Sequence, residues 1–588
     1  MFRIALHKIL GGIAIATLEE PSTQNPYGIS LTKRLVVPDA EDILFDPIAP
    51  YKTGKIELID YMGGDEMVAR VATAGHPLEI FPEKPELPAF LQHLYDRGIL
   101  EPFKSVQMKF KIQSPISVAL SLVYAKAANV NEYSGRYSKM PESSYTPCAE
   151  DIVSHAYDLR VCMDDAQQAL ALIEAARKQN YQDYEWLVGE IDLARELART
   201  PLELDNDTIF FWKMDLPSLL EFTQQQRART RKWALLIEYL DTLEHAAYLL
   251  APLSTSILTQ DRYEKKSPAL TYPTDDKVVD GPLLPAPWQP QNTRRPTATS
   301  LEERLFVPVS YLDKGAIQAV DYMGYDDAPA DSARVSYGEG TRRLQENKHL
   351  IKYLFRHRHT TPFEHVEIAF EGKPPIFVDP RQAGRHRTLE DHGFMGYVPV
   401  GDEYFMPPEE ELKHQDRKNR QGRGNLLDDE LKVTVLECFR EGYEREVQLA
   451  QELRRLGVNE DIVRGRKGVG FYTRRWRTGD LHNWGHFLGL RLDAHAQKEI
   501  QLEAQIYADF IRLLAPTTME ALDDYQRNAV RFNRQELPVL QSLLHITQEQ
   551  VNNVEWYRQF GFVIEGKDGV PKLNREGEEL QAKLKRFL

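Results

Sequence analysis

The sequence predicts an α+β fold built twice: two fused units, each a small β-sheet packed with long helices. Three observations carry this. Short strand-like apolar stretches lead into long amphipathic helical patterns, without the strict strand–helix alternation of a parallel sheet. A set of short motifs recurs in the same order about 260 residues apart. A proline-dense stretch lies between the two copies.

Asp60-Tyr61-Met62-Gly63 returns as Asp321-Tyr322-Met323-Gly324, and Ala69-Arg70-Val71 as Ala333-Arg334-Val335. Glu101-Pro102-Phe103 returns as Thr361-Pro362-Phe363, and Pro115-Ile116-Ser117-Val118 as Pro375-Ile376-Phe377-Val378. A similar lead-in precedes each set, Lys33 to Pro38 and Glu303 to Pro308. One short match is chance; four in order at nearly constant offset are not. Lys265 to Ser300 holds seven prolines, a density that prevents helix and sheet and predicts a linker or extended strap. The expected organisation is an N-terminal extension (1–45), a first unit (46–262), the linker (263–300), a second unit (301–535) and a helical tail (536–588). Within the units, Val106 to Ile112 and Val366 to Phe370 alternate like strands. Asp429 to Leu456 and Leu481 to Leu514 have helical periodicity. The tail reads as helices with a turn near Gly566 to Gly569.

Composition narrows the function. The chain has 588 residues, 42% hydrophobic and 27% charged, and a formal charge of -15. Such an acidic balance disfavours nucleic acid as a partner, which needs a basic surface, but leaves room for a small anionic substrate held by a few arginines. There is no apolar run near the ~20 residues of a membrane span. Cys148, Cys162 and Cys438 cannot make a disulfide framework, so a reducing, cytoplasmic setting is expected. Met1 to Leu18 weakly imitates a signal peptide but has no convincing cleavage site, and is read as a surface strand or helix.

Two segments could carry chemistry. In the second unit, Arg381-Gln382-Ala383-Gly384-Arg385-His386-Arg387 follows an apolar strand-like stretch. Arginine forks bind phosphate and planar acceptors bidentately; a solvated basic face is the plain alternative. In the first unit, Asn131-Glu132-Tyr133-Ser134-Gly135-Arg136-Tyr137 suits a tight loop whose N–H groups and Arg136 hold an anion. An ordinary polar turn is its alternative.

Together these pieces resemble the flavin-dependent thymidylate synthases, the ThyX family, whose signature runs Arg-Gln-x-x-Arg-His-Arg and then Asn-Glu-x-Ser-x-Arg-Tyr. The first part is intact only in the second unit and the last only in the first. Family-like pieces also include His359 to His365, Phe471 to Arg474, Phe487 to Arg491 and Ala494 to Ile500. The departures are complementary. The Arg-His-Arg position reads Tyr124-Ala125-Lys126 in the first unit, and the loop reads Gly393 to Tyr397 in the second. Division of labour at a composite site explains this better than independent decay of both copies.

The resemblance implies FAD-dependent methylation of dUMP to dTMP, with methylenetetrahydrofolate and NADPH as co-substrates. It implies flavin contacts from Arg385, His386, Arg387, His359 and Thr361. It implies nucleotide contacts from Gln382, Arg385, Glu132, Ser134, Gly135, Arg136, Arg464 and Arg491, with Arg199 the first-unit counterpart of Arg464. Arg491 and Ser134 are the implied catalytic residues. Arg491 sits by the uracil edge, and Ser134 is a hydrogen-bonding contact rather than a nucleophile. Two asparagines of the family's flavin site read Asp480 and His486 here, and an aspartate repels flavin phosphate. That motivates the rival readings, a non-catalytic nucleotide- or flavin-binding protein or the same chemistry on another pyrimidine nucleotide. Because family members are homotetramers, two fused chains suffice, and a homodimer with pseudo-tetrameric symmetry is expected. His482 and His486, four apart, could bind zinc on one helix face. Asn483-Trp484-Gly485 between them lacks a general-base glutamate, and no metal is expected.

Overall fold

The Asp-Tyr-Met-Gly repeats end two equivalent strands, and the fold is built around them. The computed structural model describes residues 28–50, 54–73, 85–125, 127–134, 139–154, 161–229, 234–260, 282–334, 344–378, 389–392, 401–417, 423–530, 532–543, 546–566 and 569–585. The strands in chain order are β1 (Ser30–Thr32), β2 (Lys55–Met62), β3 (Gln107–Pro115), β4 (Asn129–Glu132) and β5 (Asp207–Asp215). There follow β6 (Gln291–Thr293), β7 (Val309–Tyr311), β8 (Gly315–Met323), β9 (Glu367–Lys373), β10 (Glu390–Asp391), β11 (Lys413–Gln415), β12 (Arg423–Leu426) and β13 (Arg475–Asp480). The first unit's antiparallel sheet runs β2-β3-β5-β4, and the second's β10-β13-β9-β8-β7. Both β2 and β8 shift register at the same place, between Leu58 and Asp60 and between Ala319 and Asp321. A bulge there re-aims the aspartate.

Those aspartates reach across to the other copy. Asp60 Oδ2 accepts from Gly324 N at 2.7 Å, and Asp321 Oδ2 from Gly63 N at 3.0 Å. Gly63 has φ +76°, and a Cβ there would lie 2.5 Å from the Ser105 carbonyl oxygen, so only glycine fits. The lead-ins make a second exchange. β1 pairs with β6. Buried Arg34 donates to the carbonyls of Tyr322 and Pro296, while Arg295 donates to those of Tyr61 and Leu35. Each guanidinium lies 4.0 Å over the other copy's tyrosine ring, Tyr322 or Tyr61. The structural partner of Arg34 is therefore Arg295, nine residues before the Arg304 matched by sequence, because strand pairing and not the Leu-x-Val-Pro string sets the register.

These exchanges make the two copies one body. Leu35, Met62, Met67 and Val71 of the first unit pack in the second unit's apolar core, and residues through Arg527 form one compact unit. The stretch expected to be a linker or extended strap is bonded to the second unit where it is described. The carbonyls of Pro282 and Leu284 accept from Arg474 and Gln318 at 3.0 and 2.9 Å, and β6 follows. Residues 261–281 and the N-terminal segment 1–27 lie outside the described residues.

The helices that matter are α1 (Leu87–Asp96), α2 (Met163–Gly189) and α3 (Leu216–Arg229) in the first unit. The second unit has α4 (Leu344–Arg356), α5 (Asp429–Arg455), α6 (Leu481–Arg491) and α7 (Lys498–Leu514). The helix expected from Leu481 to Leu514 is thus two. Asp493 breaks it by accepting the backbone N–H of His495 at 2.8 Å, a local alternative to the helical ladder. Residues Asn528–Leu588 form a separate unit. Its helices are joined by a β-hairpin, Val563–Glu565 with Pro571–Leu573, across the turn that the sequence had placed among helices.

Candidate functional site

β4 ends at the Asn-Glu-x-Ser loop of the first unit and lies against the 3₁₀ turn Thr361–His365 of the second. Three side-chain contacts join them. Asn129 Nδ2 donates to Glu364 Oε2 at 3.0 Å, Thr361 Oγ1 donates to Asn131 Oδ1 at 3.3 Å, and Asn131 Nδ2 donates to the Ser332 carbonyl. The structure therefore joins Thr361 of one copy to Asn131 of the other, one residue before Glu132. Sequence reasoning passed over Asn129, although its spacing before Asn131 on an alternating strand puts both on one face.

Glu132 Oε1 accepts from Thr208 Oγ1 at 2.9 Å. Partial burial pushes its carboxyl above the ordinary range, against the pull of Thr208 and of the Arg199 charge. Arg199, from the first unit itself, is the arginine whose charge acts on Glu132; Arg464 closes a short helix in the second unit. Ser134 is half-buried beside Glu132, and His359 and Thr361 are exposed. His359 faces Tyr353 edge-on at 6.1 Å, and Tyr353 also contacts His357 at 4.3 Å.

Behind this rim lies a buried ionic network that also crosses the copies. Lys213 Nζ of β5 pairs with Glu367 of β9, Gln107 Nε2 donates to Glu367 Oε1 at 3.4 Å, and Lys109 Nζ donates to the His365 carbonyl at 3.2 Å. Burial raises the carboxyls of Glu367 and Asp480, and the Lys213 ammonium pulls both back. Burial drops the Lys109 ammonium to about 8.

Asp480 has a structural task here. It caps α6, accepting from Asn483 N at 2.8 Å and Asn483 Nδ2 at 2.9 Å. Asp215 caps α3 in the same way, accepting from Ser218 N at 2.9 Å. Arg491 closes the other end of α6, roughly 16 Å away along an 11-residue helix. His486 and His482 are exposed on that helix, and among the described residues no group of three or more His, Cys, Asp or Glu could hold a metal. Gly135, Arg136, Gln382, Arg385, His386 and Arg387 lie outside the described residues.

The pseudo-equivalent face, β10 on the turn Glu101–Ser105, has different chemistry. Strand register makes Glu390 the counterpart of Asn129 and His392 that of Asn131. Glu101 stands for Thr361 and Lys104 for Glu364. Where one face has an amide bonded to a carboxylate, the other sets Glu390 and Glu101 about Lys104. His392 is fully buried there, and burial drops its imidazole to about 4 although Asp391, Asp215 and Glu101 pull upward.

An α+β chain of two homologous units, exchanging their strand ends and sharing one polar face, is the class that fold and site define. The family model of the thymidylate synthase complementing protein (Thy1) matches it twice, over residues 57–234 and 318–517, and the chain belongs to that family. The flavin-dependent thymidylate synthase of Gluconobacter oxydans (strain 621H) is 37% identical over 289 residues, covering 47% of this chain and 94% of the relative. That of Rickettsia conorii (strain ATCC VR-613 / Malish 7) is 36% identical over 267 residues, covering 43% and 90%. Each relative is nearly spanned by less than half of this chain, as expected if it carries one unit where this chain carries two. Among solved structures, the UMP/dUMP methylase PolB from Streptomyces cacaoi, bound with 5-Br dUMP, is 27% identical with a TM-score of 0.33. That match covers 37% of this chain and 99% of PolB. No helix among the described residues is long and apolar enough to cross a membrane.

Proposed function

We propose that this chain is an FAD-dependent thymidylate synthase. It converts dUMP to dTMP by reductive methylation, using methylenetetrahydrofolate and NADPH, at a composite site to which each copy contributes different residues. The observation that carries the reading is the Thr361–Asn131 face. There Thr361 of one copy is bonded to Asn131 of the other, so the chain segments that carry the surviving family residues, His359 and Thr361 on one side and Glu132 and Ser134 on the other, meet at one contact. Bound flavin would supply the hydride. His359 and Thr361 would hold it, while Glu132 and Ser134 orient the nucleotide and Arg199 offers a cation beside them. Arg491 would stabilise negative charge developing on the pyrimidine ring. Asp480, whose charge argues against flavin phosphate, is engaged as a helix cap and countered by Lys213, which weakens the case for a non-catalytic binding protein.

Arg136→Ala and Arg385→Ala test the composite site. Each arginine is the only surviving copy of its role, Tyr397 and Tyr124 replacing them. Loss of one charge-assisted contact should weaken nucleotide binding roughly ten- to a hundredfold. A second chain, in a pseudo-tetrameric homodimer, completes the site in this proposal. Mixing the two inactive variants should then recover part of the activity. If either single variant binds nucleotide as tightly as the wild type, the composite site is wrong.

A further inference from the structure

The helix before each 3₁₀ turn ends in the same way in both copies, with one difference. In the first unit, Gly98 N donates to the Tyr95 carbonyl at 2.9 Å and Ile99 N to that of Leu94 at 2.9 Å. In the second, Arg358 N donates to the Phe355 carbonyl at 3.1 Å and His359 N to that of Leu354 at 2.9 Å. This double bond pattern needs a left-handed residue just past the helix, a position suited to glycine. Gly98 supplies it at φ +72°; the second unit uses Arg358 at φ +59°. A long side chain there is strained, and such strain persists where it serves a site.

Nothing among the described residues offsets it. Among the described residues no hydrogen bond or ion pair holds the Arg358 guanidinium, and it is exposed. Its neighbours are those of the candidate site. His359 and Thr361 follow it in the chain, His357 precedes it with its ring 4.3 Å from that of Tyr353, and Arg356 stands over Tyr353 at 5.9 Å. Phe45 and Phe306, also left-handed, are equivalents of one another, so their strain belongs to the repeated fold. The position of Arg358 is left-handed in both copies too, but the other copy fills it with Gly98, so the strain of a side chain there is peculiar to Arg358.

We propose that Arg358 is an anion-binding residue at the site's rim, gripping the charged tail of a co-substrate whose planar ring rests on the Tyr353–His357–His359 surface. The shared chemistry is a phosphate or carboxylate carried on a heterocycle, and the assignment rests on the synthase reading above. The 2′-phosphate of NADPH and the glutamyl tail of the folate are the two sources.

The test compares wild type, Arg358→Gly and Arg358→Lys as full-length protein. Calorimetric titration uses four probes: NADPH, NADH, and methylenetetrahydrofolate with one or three glutamates. Flavin content and the thermal midpoint are measured in parallel. Arg358→Gly should keep its flavin and unfold at the same temperature or about 1–2 °C higher, since the strain is relieved. It should bind one anionic probe roughly tenfold more weakly, and Arg358→Lys should retain part of that affinity. Weakening confined to NADPH, leaving NADH unchanged, identifies the phosphate; weakening confined to the triglutamate identifies the carboxylates. Unchanged affinity for all four probes overturns the role of Arg358 alone. A wild type that takes up neither flavin nor dUMP overturns the synthase reading and this assignment together.

Discussion

Replacing Lys213 with methionine should cost this protein far more than a surface lysine would. The side chain is 4% exposed, and its partner Glu367, from the other copy, is 6% exposed. Among the described residues, Glu367 would keep only the long bond from Gln107, at 3.4 Å. Asp480 would lose the same counter-charge. Removing one partner of a buried pair typically costs about 3–5 kcal/mol, whereas replacing both with neutral groups of similar size is close to neutral. The cost has a sign in pH. Without Lys213 the carboxyls rise further in the folded state. A raised carboxyl leaves stability intact below its unfolded value, near 4, and removes it as pH climbs through the folded value. Urea unfolding of Lys213→Met should therefore show a small penalty at pH 5 and the full one at pH 8, and Lys213→Met/Glu367→Gln should recover most of it. A Lys213→Met protein within about 1 kcal/mol of wild type at pH 8, or equally damaged at both pH values, would refute this account of how the copies are held together.

Three further outcomes are expected. Arg491→Ala should lower turnover by ~10²–10³ while leaving flavin content nearly unchanged, since a lost preorganised donor acts on the developing charge; turnover near wild type removes Arg491 from the site. His392, neutral when folded with its imidazole at about 4, contributes stability above its unfolded value near 6.5 and loses it as pH falls through 4. Wild type should thus lose up to about 3 kcal/mol more than His392→Asn between pH 7 and pH 4, and parallel stability curves would contradict this. Finally, Glu101 and Glu390 oppose an anion at the mirrored face, so the purified protein should carry one flavin per chain. A ratio of two, from flavin and protein absorbance, would show that both faces bind.

The repeat, its order and the complementary losses could all be read from residues alone, because short motifs survive where a strand end or turn allows few alternatives. Asp60-Tyr61-Met62-Gly63 is such a case. The glycine sits against the Ser105 carbonyl, and the aspartate serves the other copy's glycine. The lead-in misled for the opposite reason: its apolar residues match many registers, and only pairing between β1 and β6 selects Arg295 as the mate of Arg34. Asp480 is similar. Its charge was visible, but its engagement by Asn483 and Lys213 depends on a helix start and on a strand from the other unit.

By itself, then, the sequence determined the α+β class, the doubling and which copy kept which chemical groups, since these are properties of residue order. It could not determine that the copies fuse into one body, or that Thr361 meets Asn131 of the other copy. Those outcomes rest on contacts between residues more than 200 positions apart, whose partners are chosen by strand pairing and by the burial of charges that must find one another once water is excluded. The strain at Arg358 belongs with them. An arginine in the sequence carries no sign of a left-handed backbone; that becomes visible only when the helix before it ends and the equivalent turn shows a glycine.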